Sequence, residues 1–384
     1  MIRKRICIVA TVPFALKWFM TSHIIMLREE YDITIVTNGS AEDLSGLLGR
    51  HVSFFPVRIE RKISIRNDFI ALFKLWRLFR NSHFDGVHSI LPKSGLLAML
   101  AAKVAGVPVR IHTFTGQVWA NKKGLGRQAL KYLDKVLAMN ATRVLADSHS
   151  QSQFLIDNNV VNASSISVLA EGSVSGVDVS RFKFSADARE QIRLEKSIPP
   201  DAIVFLFLGR LSKDKGLLDL SRAFGIAAES DGKMHLLIVG PDEDSLESEF
   251  VALSVRFPGR VHRAGFTDCP EKYMSASDVF CLPSYREGFG TVIIEAASVG
   301  LPSIASRIYG IIDAVLDGIT GILHSPKSEV EIANAMLLLA SAGDYRLKMG
   351  QAARDRVLNS FSEKRVSEAF ADFYREIFRN RNLS

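Results

Sequence analysis

The stretch Asp278-Val279-Phe280-Cys281-Leu282-Pro283-Ser284-Tyr285-Arg286-Glu287-Gly288-Phe289-Gly290 limits the possible folds more than any other part of the chain. It opens on an apolar run of strand length and continues as a polar loop with two glycines. Thr291–Val299 then reads as a buried helix that Gly300 and Pro302 terminate. A strand, a glycine-bearing loop and a helix start, followed by the strand-like Ser303-Ile304-Ala305, make one unit of a parallel α/β sheet. Loops at the carboxyl ends of such strands are where these sheets hold ligands.

The residue types in this loop suggest which ligand. Gly288 and Gly290 let the backbone approach it closely, and the amides of Gly290, Thr291 and Val292 at the helix start favour an anion, most often a phosphate. Glu287 lies in the loop and Glu295 one turn beyond Thr291, so both reach a ligand held there. A carboxylate suits paired sugar or ribose hydroxyls because it accepts two O–H donors. Two glutamates at this spacing also arise by chance, and the signal lies in the whole context of strand, loop and helix.

The same alternation runs through the chain. Ile6–Ala10, Asp32–Thr37, Asp85–Ser89, Val109–Thr113 and Arg143–Ala146 are strand-like, with helical patterns between them, up to about residue 178. Polar sequence from there to Pro199-Pro200 reads as an interdomain connection, after which Phe205–Arg210 begins a second sheet. The reading is therefore an α/β protein with a domain over 1–178, a linker over 179–200, a second domain over 201–360 and a last segment, 361–384. His112 stands toward the carboxyl end of its strand, although a lone histidine in a strand is more often a satisfied core residue. Gly209-Arg210, with Lys215 five residues beyond Arg210, could close a planar fork and a point charge on one diphosphate. Asp242-Glu243-Asp244 resembles a metal motif but sits where a helix is predicted to begin, where acids favour the dipole. Trp119–Lys123 could meet an acceptor or be an ordinary exposed loop.

At 384 residues the chain accommodates two cores. No apolar run is long enough to cross a bilayer, and a structural zinc site would need closer clusters of Cys and His than Cys7, Cys269, Cys281 and the histidines offer. The basic Met1–Arg5 before an apolar run could be misread as a signal peptide, but the β-α-β pattern that follows makes it the entry to a strand. The net charge of +7 matters mainly through its distribution. Arg58, Arg61, Lys62, Arg66, Lys74, Arg77 and Arg80 alternate with Phe69, Ile70, Phe73 and Trp76, and on a helix Arg66, Lys74, Arg77 and Arg80 share an arc of about 120°. This is either a solvated face of a packed helix or a surface, spanning 66–80, that docks on an anionic membrane. No nucleic-acid-binding module accompanies it.

With its E-x7-E spacing over Glu287–Glu295, Gly-Phe-Gly loop and Gly209-Arg210…Lys215 loop, the chain resembles the family-four retaining glycosyltransferases. The run Val109-Arg110-Ile111-His112-Thr113-Phe114-Thr115-Gly116 looks most like bacterial enzymes of O-antigen or capsular polysaccharide synthesis. The resemblance implies a GT-B fold, two doubly wound Rossmann-like domains facing across a cleft, with the last helix returning to the first domain. It also implies a nucleotide-sugar donor, with a UDP-sugar favoured, a glycan or polyprenyl-diphosphate-linked acceptor, and no metal or other cofactor. Cytoplasmic location follows from it, at or near the inner membrane. In this reading Arg210 and Lys215 stabilise the leaving diphosphate, Glu287 and His112 hold the transferred sugar, and Glu295 holds the ribose. Gly209, Phe266, Gly288, Phe289, Gly290, Thr291 and Val292 line the donor. One departure is the first loop, 11–17, which lacks the family's paired glycines. A nucleotide-sugar epimerase of the same fold and a membrane-bound scaffold are the rival readings.

Overall fold

The computed structural model describes residues 3–60, 62 and 64–380, so Met1, Ile2 and Arg61 lie outside the described residues. The chain forms two compact units, one built from the chain up to Gly176 together with the segment from Glu363, the other spanning Val177–Ser362.

Unit 1 holds β1 (Lys4–Val9), β2 (Tyr31–Thr37), β3 (Val52–Pro56), β4 (Gly86–Ile90), β5 (Val109–Phe114), β6 (Arg143–Ala146) and β7 (Ile166–Val168). They form one parallel sheet in the order β3-β2-β1-β4-β5-β6-β7. Unit 2 holds β8 (Ile203–Leu208), β9 (Met234–Val239), β10 (Val261–Ala264), β11 (Val279–Leu282), β12 (Ser303–Ser306) and β13 (Gly321–His324), again parallel, in the order β10-β9-β8-β11-β12-β13. The central strands are continuous apolar runs because helices cover both faces of such a sheet. In each unit the winding direction reverses next to the first strand, between β1 and β4 and between β8 and β11. That reversal opens a crevice at the carboxyl ends of those strands.

The chain crosses to unit 2 after Gly176 and returns after Ser362. The returning helix, Glu363–Asn380, presents Val366, Phe370, Tyr374 and Phe378 at i, i+4 spacing and buries all four, the last three in the unit 1 core. Phe370 lies against the imidazoles of His23, at 4.3 Å, and His88, at 5.5 Å. His23 Nδ1 meets Ser367 Oγ at 2.9 Å and His88 Nδ1 meets Tyr374 Oη at 2.7 Å. Burial holds both imidazoles neutral, lowering His23 to about 4 and His88 to about 3. Phe361, placed by the sequence in the last segment, belongs instead to the unit 2 core, 5.2 Å from Phe289.

The polar segment 179–200 is not a free linker. Ala186–Glu195 is a helix of unit 2, and its charges are used internally. Asp278 accepts from Arg189 Nη2 at 2.8 Å, from Arg193 Nη2 at 2.9 Å and from the Val204 amide at 2.8 Å. Arg193 is almost wholly buried and also donates to the carbonyls of Pro199, Pro200, Ala202 and Ala276. Polarity in sequence here marks a buried ion cluster. Asp278→Ala leaves Arg193 buried and unpaired, and the variant should lose about 3–5 kcal/mol of stability in urea unfolding followed by circular dichroism. A loss below about 1 kcal/mol would mean that the carbonyls alone satisfy the guanidinium.

Candidate functional site

The carboxyl edge of the unit 2 sheet is built by backbone contact between loops. Gly216 ends the loop after β8 with φ +70, and a Cβ there would lie 2.0 Å from the carbonyl oxygen of Pro283, in the loop after β11. The two loops are also joined by Tyr285 N to Asp214 O at 2.8 Å and by Arg286 Nη2 to Asp214 Oδ2 at 3.0 Å. Gly310, after β12, has φ +83, and its Cβ would lie 2.6 Å from Gly288 O. Only a residue without a side chain fits either place.

This frame brings Lys215 and Glu287 together, with Nζ and Oε1 2.5 Å apart and both side chains shielded, at 17% and 14% exposure. Arg210, at the start of the same loop, pairs with Glu243 through Nη1 and Oε2 at 2.6 Å in a more open setting. Beside them the helix Thr291–Val299 starts at Gly290, φ +79, with no side-chain cap. The Ile293 amide donates back to Gly290 O at 2.8 Å, and the amides of Thr291 and Val292 before it stand at the positive end of the dipole. Two cations and an uncapped helix start converge on one edge, an arrangement suited to a doubly charged anion.

Glu295 sits one turn inside that helix, half-buried, with its carboxyl shielded from water. Burial raises its carboxyl to about 7, Arg181 opposes the shift, and Glu271 adds to it. Phe266 projects into solvent from the loop after β10, 61% exposed, leaving its ring face open. Gly209 follows β8 directly with its amide bonded to Val239 O, and Val292 packs on the core. Phe289, expected at the donor, is instead buried against Phe361, because the loop needs an apolar anchor beneath its polar edge.

The acidic run 242–244 differs from the helix start predicted for it. The helix begins at Glu247, and Asp242 closes the preceding turn by accepting from the amides of Asp244, Leu246 and Glu247. Those bonds hold its carboxyl below the usual range. Asp244 accepts from the Lys213 amide and Glu243 holds Arg210, so the run orders the cationic loop. Sequence alone missed this because the partners lie about 30 residues apart.

His112 belongs to unit 1, on β5, and is fully buried. Its Nδ1 meets Ser89 Oγ at 2.9 Å, and burial lowers its pKa to about 3, so the ring is neutral. Gly95 admits the imidazole, since a Cβ there would lie 2.4 Å from it. The loop expected at 11–17 is helical from Pro13. Trp119 is buried and donates to Asp134 Oδ2 at 2.7 Å, so its indole is not available to an acceptor. Among the described residues no group of three potential ligands could hold a metal ion.

Comparison with known proteins follows the same division. Residues 26–172 match the glycosyl transferase 4-like domain and residues 188–356 match the glycosyl transferases group 1 family. Anabaena HepE in complex with UDP and glucose superposes with a TM-score of 0.81 at 18% identity, covering 97% of this chain and all of that one. The two domain matches make the chain a glycosyltransferase, and its fold is of the GT-B class. The chain belongs to family four of that class. Its relatives include the capsular polysaccharide biosynthesis glycosyltransferase CapM of Staphylococcus aureus, 29% identical over 83% of each chain. They also include the UDP-Gal:alpha-D-GlcNAc-diphosphoundecaprenol alpha-1,3-galactosyltransferase of Escherichia coli, 26% identical over 92% of this chain and 91% of that one.

The raised carboxyl of Glu295 has a signature in stability. Below the ordinary value of 4.5 the group is protonated folded and unfolded, and above about 7 it is ionised in both. Between these limits the folded state holds the extra proton, so this group's contribution falls as pH rises. Melting temperatures of wild type and Glu295→Gln, measured from pH 4 to 8, should diverge in the variant's favour across that window. Parallel curves would show that Glu295 titrates normally.

Proposed function

We propose that this glycosyltransferase moves a sugar from a nucleoside diphosphate sugar, with uridine the favoured base, to a hydroxyl of a glycan on a polyprenyl diphosphate, with retention at the anomeric carbon. The observation that carries the reading is the Lys215–Glu287 pair beside the uncapped start of Thr291–Val299. The name of the Escherichia coli relative gives that protein a UDP-galactose donor and a diphosphoundecaprenol-linked acceptor, and CapM is named for capsule synthesis. Both support a place in surface polysaccharide assembly. Retention rests on the family resemblance.

When the donor arrives, its diphosphate presents two charges close together to Lys215, Arg210 and the helix-start amides at once, whereas Glu287 and Glu243 each hold a single cation. The lysine then moves to the phosphate, and Glu287 is released to accept hydroxyls of the transferred sugar. As the bond between the anomeric carbon and the diphosphate oxygen breaks, charge grows on that oxygen, where the two cations and the helix amides stabilise it. The acceptor oxygen bonds to the anomeric carbon, and its proton passes to the leaving diphosphate. Glu295 is assigned to the ribose and Phe266 to the base.

The helix Ile65–Ser82 supports a lipid-linked acceptor. It buries Ala71, Leu75 and Phe79 but leaves Phe69 and Phe73 67% and 57% exposed, beside Arg66, Lys74, Arg77 and Arg80. Exposed aromatics flanked by cations fit an anionic leaflet. Among the described residues no helix is long and apolar enough to cross a membrane.

Incubation with radiolabelled nucleotide sugars and a polyprenyl-diphosphate-linked acceptor should yield a labelled lipid product, equally in EDTA, and Lys215→Met should lower kcat/KM by about 10²–10³. Isomerised nucleotide sugar without acceptor product would make the enzyme an epimerase. In flotation, wild type should rise with phosphatidylglycerol vesicles, and a variant with the four cations changed to glutamine should stay behind. Equal binding would remove the membrane surface from the account.

A further inference from the structure

Unit 1 carries a second polar set that the donor chemistry does not use. Phe114 on β5 pairs in register with Ala146 on β6, and beyond these strand ends stand Gln117 and Asp147. Both are buried, Gln117 completely. Yet among the described residues Nε2 of Gln117 and Oδ1 of Asp147 have no hydrogen-bond partner, and neither has Nε2 of His112 on the same strand as Phe114. The side chain of Gln151 links the first two, donating to Gln117 Oε1 at 3.5 Å and accepting from the Asp147 amide at 2.7 Å. The Asp147 carbonyl accepts from Ser173 N at 2.7 Å, so its backbone is fixed from both sides. Burial pushes the Asp147 carboxyl well above the ordinary range.

A buried polar atom without a partner costs stability, and three at the carboxyl edge of one pair of strands call for an explanation. From this arrangement we infer that Gln117 and Asp147 form a subsite for a hydroxyl pair of the acceptor sugar. The inference rests on the glycan-acceptor reading above and names the residues in unit 1 that recognise it. Gln117 Nε2 donates and Asp147 Oδ1 accepts, matching a hydroxyl that does both. The set contains no cation among the described residues to balance a phosphate's charge, and its carboxyl is held neutral by burial, so the chemistry favours an uncharged polyhydroxyl ring over any part of the diphosphate. Both atoms are covered in the unliganded chain. To admit the ring the Gln117 side chain must rotate, and its one side-chain hydrogen bond among the described residues, from Gln151 Nε2, is long at 3.5 Å.

The test replaces each side chain by an apolar one of similar shape, Gln117→Met and Asp147→Leu, with Asp147→Asn as the conservative partner. Removing an orphaned polar atom should leave the melting temperature unchanged or raised. Acceptor KM should rise about tenfold to a hundredfold for the apolar variants and less for Asp147→Asn. UDP affinity, read by the thermal shift it produces, should stay at the wild-type value. An unchanged acceptor KM in all three variants, with or without a stability change, would mean that these atoms hold structural water, and the subsite is lost. A parallel loss of UDP affinity also overturns it, since the pair would then serve the donor. A wild type that glycosylates no lipid-linked acceptor overturns the reading of the reaction, and the subsite falls with it; an active wild type with unaltered variants overturns the subsite alone.

Discussion

Lys215 and Glu287 lie 72 residues apart in sequence and 2.5 Å apart in space, and the site depends on how that pair is held. The attraction alone would not fix it, since an ion pair near a surface gains little net energy. The backbone does, through the approach of Gly216 to Pro283 and of Gly310 to Gly288. These contacts lock the loops after β8, β11 and β12 into one edge. The charges are thereby preorganised, so little reorganisation accompanies the growth of charge on a leaving group. The same frame explains why the pair is useful unliganded: each charge shields the other until a stronger partner replaces it.

Unit 1 uses buried polarity differently. His23 and His88 are satisfied and neutral, and they bind the returning helix through Ser367, Phe370 and Tyr374. That helix makes unit 1 discontinuous in sequence, so its core is complete only once the end of the chain has folded onto it. His112, Gln117 and Asp147 are buried too, but each keeps an atom without a partner among the described residues. Paired groups here hold the fold together, while the orphaned ones gather at the strand ends where ligands bind.

Much of this was legible in the sequence. The parallel α/β sheets followed from apolar runs alternating with helical patterns, and the Gly-Phe-Gly loop pointed to its edge because a strand, a tight loop and a helix start leave few other geometries. What sequence could not give was which charges cancel. Arg193 and Asp278 read as polar linker and strand entry and proved to be a buried cluster. Glu243 read as a helix-start acid and proved to hold Arg210. Phe289 read as a donor contact, Trp119 as an acceptor contact or an exposed loop, and both proved to be core. In each case the deciding partner is distant in sequence, where periodicity carries no information. Asp147 and Gln117 left no signal, because an orphaned atom is defined only by the packing around it.

The central claim is that Lys215 leaves Glu287 for the donor's diphosphate. Isothermal titration of UDP and UMP into wild type and Lys215→Met tests it most directly, because the two ligands differ by the one phosphate in question. The account predicts that wild type prefers UDP by about tenfold or more and that the variant loses most of this preference while UMP affinity holds. An undiminished preference in the variant would contradict it, leaving the Lys215–Glu287 pair as a structural clasp.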